Sequence, residues 1–170
     1  MVNITQDFAP PFKLIAPYFI IGVIFYLLSS IFTLTINPSE LSIHSPDLLS
    51  WTHLFLLGFV MMIIFGAMAQ LIPVTLEVGH FSVEFYYIIY PLLLIGTILM
   101  AFGFSMNSSV LPYGGIIVLL AMFIFLSEIF LTMKKVSKFS NVVKSILVSN
   151  IFLAIGVIIG IVMALTYAGE

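Results

Sequence analysis

Few side chains in this chain can do chemistry, and their positions narrow it further. The 170 residues include three histidines (His44, His53 and His80), no cysteine, and only lysine among the strong cations. Without cysteine, disulfides, iron–sulfur clusters and thiol nucleophiles are excluded. His53 is embedded in an apolar run. A neutral imidazole in hydrocarbon either hydrogen-bonds a neighbouring helix or ligates a metal or heme iron. On a helical period it shares a face with Leu56, Leu57, Val60, Ile64 and Ala67, a stripe suited to a flat apolar ligand or to another helix. Glu128, with Gln70 and Asn150, forms a second polar set. It reads as interhelical hydrogen bonding, or as Glu128 reaching toward Lys134 and Lys135, with a proton path as the alternative. His80 stands near Glu77 and Glu84 at a spacing that fits no standard metal site, so it reads as solvated loop, as does His44. No nucleophile–base or paired-carboxylate arrangement points to a hydrolase or transferase; a redox component is the most this chain offers.

These residues need elements to hold them, and the composition names the solvent. Hydrophobic residues make up 62% of the chain and charged ones 7%, against roughly a quarter charged in soluble domains. Lipid is the solvent that fits, and a single membrane domain follows. The net charge of −2 and the lack of a basic patch exclude a nucleic-acid partner. A spanning helix takes about 20 mostly apolar residues. Five stretches qualify, near 14–36, 48–73, 85–106, 111–133 and 143–167. The expected fold is therefore an all-α bundle of about five transmembrane helices. Ser45, Pro46 and Asp47 form a helix start, Trp51 sits at an interfacial depth, and Pro73 reads as a stop. Lys13 precedes the first span, and Lys134, Lys135, Lys138 and Lys144 lie between the fourth and fifth. The positive-inside rule then puts the N-terminus in the cytoplasm and Glu170 outside, in a multi-pass protein of the cell's inner membrane. The stretch Met1–Pro11 has no basic n-region and does not read as a cleavable signal peptide.

Small residues mark where backbones or a planar ligand approach closely. Gly103, Gly114 and Gly115 lie at the depth of His53. Gly156, Gly160 and Ala164, four apart, line one face of the last span and suggest a homodimer.

The segment from Trp51 to Val74, WTHLFLLGFVMMIIFGAMAQLIPV, resembles the second transmembrane helix of subunit I of the heme-copper oxidases and nitric oxide reductases. The matching positions are His53, Gly58, Gly66 and Pro73. The resemblance implies that His53 is an axial ligand of a low-spin heme b. It covers one span of five. The family's remaining heme and copper histidines have no counterparts, so no binuclear centre is implied. The second ligand stays open among His44, Met106 and His53 of a second copy. Gly114, Gly115 and Tyr113 are candidate heme contacts, Tyr113 as a hydroxyl for a propionate.

The expected function is a small cytochrome b-like protein that transfers electrons, with a respiratory-chain redox partner, or senses a diatomic gas. The alternatives are a heme- or copper-handling assembly factor, using some of the nine methionines as soft ligands, and a cofactor-free structural subunit or transporter.

Overall fold

The computed structural model describes residues 10–40, 42 and 44–168. The N-terminal residues 1–9, the Ala164 side chain and Glu170, all touched on above, lie outside the described residues. Every regular element described is helical, and five helices are long and apolar enough to cross a membrane. Helix α1 is Phe12–Phe32, α2 is Pro46–Leu76, α3 is Glu84–Ser105, α4 is Leu111–Met133 and α5 is Asn141–Ala168. The fold is thus the all-α bundle of membrane-length helices that the hydropathy pattern calls for.

Glycine contacts fix the packing. In the α1–α2 pair, Gly58 faces Phe25, Ile63 faces Gly22, and Gly66 faces Tyr18. In the α3–α4 pair, Gly96 faces Val118, Met100 faces Gly114, and Gly103 faces Leu111. In both series one number rises as the other falls, so both pairs are antiparallel. A Cβ would lie 2.5 Å from the Phe25 ring at Gly58 and 2.6 Å from the Met100 nitrogen at Gly114. Small residues let these backbones close to a distance no other side chain allows.

One end of the bundle carries all five lysines, and the core is concentrated toward that end. Tyr18, Phe65, Ile72, Tyr86, Ile89, Phe125 and Ile129 are fully buried there, and Phe65 stacks on Phe125 with centroids 3.9 Å apart. Polar ties cross the lipid-facing helices through backbone carbonyls. Tyr18 Oη donates to Tyr86 O at 2.6 Å, Ser50 Oγ to Ala101 O at 2.8 Å, and Trp51 Nε1 to Ser29 O at 3.1 Å. Helix α5 differs from the rest. Only 6% of its most apolar window is buried, against 33–44% in the other four, so it leans on the bundle rather than sharing its core.

Helix α2 departs from the sequence expectation in three ways. Pro73 is not its end: the helix runs on to Leu76 and stops at Glu77, whose φ of 55° is left-handed. A π-helical segment, Leu54–Met61, follows directly after His53 and turns Met61 onto the face of Leu56, Leu57 and Val60, while Ile64 and Ala67 fall off that face. Ser45 occupies the N-cap position, but its hydroxyl makes no capping bond. Membrane helices tolerate an internal proline only where something else satisfies the carbonyl it frees. Here that carbonyl belongs to Ala69.

The adjacent pair Gly114 and Gly115 gives a test of the packing. Gly114→Ala drives its methyl into the α3 backbone and should cost about 1–3 kcal/mol of stability, as overpacking does. Gly115→Ala meets nothing within 4 Å and should be neutral or slightly stabilising, since alanine is the better helix former. Detergent-solubilised unfolding of the two variants measures the difference, and equal effects would contradict this packing.

Candidate functional site

Two polar sites stand at opposite ends of the bundle. The first lies at the lysine-free end, around His53. A groove of about 430 Å³ runs between α2, α4 and α5, with Met100 of α3 at its edge. That volume falls in the range of small-molecule and cofactor sites, roughly 300–1,000 Å³. Its walls are apolar, apart from Thr52 and His53.

Two observations tie His53 to this groove. Its Nδ1 lies 2.7 Å from Leu49 O. A carbonyl only accepts, so Nδ1 carries the hydrogen and Nε2 carries the lone pair. Nε2 has no hydrogen-bond partner among the described residues, and the ring rests against Phe104 at 4.7 Å. Metal-binding histidines are commonly fixed in this way, one nitrogen donating to a carbonyl and the other left as ligand. A π-helical turn beside a polar side chain is also a frequent mark of a functional site.

The glycines give the second observation. Gly22, Gly58, Gly66, Gly96, Gly103 and Gly114 all face a neighbour that a Cβ would strike within 3.0 Å. Gly115, Gly156 and Gly160 have nothing within 4 Å of that position, and all three line the groove. The open glycines therefore line the groove that His53 also lines, while the packed ones hold helices together.

The other candidates sort as follows. Gly115 lines the groove, whereas Gly114 is spent on helix packing against Met100. Met106 is 76% exposed and Tyr113 66% exposed, His44 is exposed, and none of the three lines the groove. The methionines that do line it are Met61, Met100 and Met122. Gly156 and Gly160 face the groove, not a tightly apposed helix.

The second site lies at the lysine-rich end, and there His80 is not a solvated loop residue. It is buried, and its ring is clamped from two sides. Nε2 lies 2.7 Å from Ala69 O and Nδ1 lies 2.6 Å from Glu128 Oε1. The Ala69 carbonyl is available because its helical partner would be the N–H of Pro73, which proline lacks. Glu128 is fully buried and does not reach toward the lysines. Its Oε2 accepts from Thr132 Oγ1 at 2.7 Å, and Thr132 Oγ1 in turn accepts from Phe81 N at 2.8 Å. Lys135 Nζ donates to the His80 carbonyl at 2.7 Å, which pins the segment 77–83 from outside. Gln70 is exposed, and buried Asn150 turns its amide back onto Ile146 O at 2.8 Å. The expected trio of Gln70, Glu128 and Asn150 is therefore not assembled, and Glu128 pairs with His80. A lone acid within a span and a proline that frees a carbonyl both called for a partner, and His80 answers both.

The proline–histidine link can be tested by a double-mutant cycle. His80→Ala leaves Glu128 Oε1 and the Ala69 carbonyl unpartnered and should cost about 3–5 kcal/mol, as breaking a buried pair does. In a Pro73→Ala background the restored backbone N–H can serve Ala69 O, so the cost should fall by about 1–3 kcal/mol, the penalty of one orphaned polar group. An identical cost in both backgrounds would contradict the assignment. No family model, curated protein or solved structure matches this chain.

Proposed function

We propose that this chain is a b-type heme protein of the membrane, which transfers electrons or senses a diatomic gas through an iron ligated by His53 Nε2. The observation that carries this reading is His53 itself. Its Nδ1 is tied to Leu49 O, and its remaining nitrogen is unshared at a groove that three uncrowded glycines keep open. A porphyrin is flat, apolar and wide, and Gly115, Gly156 and Gly160 with Leu57, Val60 and Val118 suit such a shape. The resemblance of the α2 sequence to the heme-ligand helix of the heme-copper oxidases points the same way.

Bound heme b supplies a one-electron couple and, where an axial position is open, a site for a small gas. The chain's own part is to fix the imidazole, exclude water with an apolar wall, and set the potential by the choice of second ligand. The thioethers of Met61, Met100 and Met122 share the groove with His53 and are the second-ligand candidates it contains. On this reading the lysine-rich end faces the cytoplasm of an inner membrane, by the positive-inside rule. Helix α5, little buried by its own chain, offers its outer face to a second copy or to a redox partner. The gathering of three thioethers with one imidazole also favours a second reading, Cu(I) handling, because soft sulfur ligands select that ion.

Absorption spectra of the purified protein, oxidised and then reduced with dithionite, test the proposal. Soret and α bands are expected in the wild type. His53→Ala should abolish them. Gly156→Leu, which fills the groove and touches no packed neighbour, should weaken heme binding at least tenfold while leaving the fold intact, about 1.4 kcal/mol or more. A colourless protein after heme reconstitution, or His53→Ala with unchanged bands, would overturn the heme reading. Stoichiometric copper without heme would favour the second one.

A further inference from the structure

We propose that His80 and Glu128 form a binding site for a single proton that latches the segment 77–83 to α4, and that acid at the lysine-rich face opens it. The hydrogen-bond pattern fixes the proton count. Ala69 O can only accept, so His80 Nε2 carries a hydrogen. Glu128 Oε2 accepts from Thr132, whose hydroxyl is oriented by the Phe81 N–H it accepts, so Oε2 carries none. All that remains is the 2.6 Å contact between Nδ1 and Oε1. With one proton there, the bond forms, whether as imidazolium and carboxylate or as imidazole and carboxylic acid. With two, hydrogens face each other; with none, lone pairs do. With Thr132 as the donor to Oε2, the closed arrangement therefore holds one proton between Nδ1 and Oε1.

The surroundings decide which way it opens. Groups facing the pair are the Tyr86 ring on α3, 4.9 Å from His80 and fully buried; Tyr18 on α1, bonded to the Tyr86 carbonyl; and Lys135 at the end of α4, held on the His80 carbonyl. From α2 the pair meets the Ala69 carbonyl and no ionisable side chain. The exposed acids of the neighbouring chain are Glu77 and Glu84, the latter bonded to Ser82. Among the described residues, Glu128 is bonded only by His80 and Thr132, and no lysine reaches it. Losing the proton would strand a carboxylate in the core, which is costly. Gaining one has an outlet: His80 swings out with its segment as a solvated imidazolium, and Glu128 stays behind as a neutral acid bonded to Thr132.

The sign follows from linkage. The open form, with His80 solvated as an imidazolium and Glu128 a neutral acid, holds one proton more than the closed form, so acid favours opening, by up to about tenfold per pH unit.

Hydrogen exchange at the Phe81 amide, which donates to Thr132 Oγ1 only while the latch is closed, reads this directly. Measured against an α4 amide in the same sample across about pH 5 to 8, its relative protection should fall as the pH is lowered, by up to about tenfold per unit. In His80→Gln the ratio should not vary with pH. Nitrogen-15 spectra of the wild-type histidine rings give an independent reading if that variant does not fold: His80 should gain a proton over the same range in which protection is lost. Protection that ignores pH, an equal fall in His80→Gln, or a His80 ring that does not titrate as the amide opens would each overturn the latch.

Discussion

In hydrocarbon a polar group without an internal partner costs several kcal/mol, and this constraint organises the bundle. Pro73 shows how far it reaches. The proline lets α2 continue to Leu76 but strips Ala69 of its helical donor. That bare carbonyl takes His80 Nε2–H, and the ring so positioned offers Nδ1 to the acid buried in α4. The acid orders Thr132, and Thr132 orders the Phe81 amide. A short connection that would otherwise be solvent-facing is thereby sewn into the core between α2 and α4. The same constraint governs the far end, where Ser50 and Trp51 spend their donors on carbonyls of α3 and α1.

Beside His80, His53 stands out. Both nitrogens of His80 are occupied, whereas only one nitrogen of His53 is. His53 lines a groove beside the least buried helix, where Gly156 and Gly160 are not used for packing. One histidine thus holds the chain together, and the other is left with capacity to bind. On the proposed reading, structural and ligand-binding roles are separated by the length of α2, the helix that carries His53 and the Ala69 carbonyl.

The five-helix architecture was legible because it rests on hydropathy, which is a property of composition along the chain. The five spans fall within a few residues of where the apolar runs end. The apolar stripe of Leu56, Leu57 and Val60 beside His53 was legible for the same reason. What was not legible depends on contacts far apart in sequence. His80 and Glu128 are 48 residues apart, and a histidine between two acids in a short connection looks solvated when only its neighbours are read. The π-helical segment leaves no mark in the apolar pattern, so the stripe was carried too far, to Ile64 and Ala67. Gly114 and Gly115 are identical in sequence terms, and only the approach of Met100 separates the packed one from the open one.

The separation of the two histidines and the heme assignment meet in one measurement. Protein carrying nitrogen-15 histidine, prepared free of heme, is titrated with hemin while the ring nitrogens are followed by NMR. The account requires the His53 Nε2 resonance, unprotonated at the start, to vanish or shift strongly with added hemin while the His80 pair is unmoved. A His53 ring that starts with its proton on Nε2, or signals from all three histidines that stay in place with hemin in excess, would contradict it.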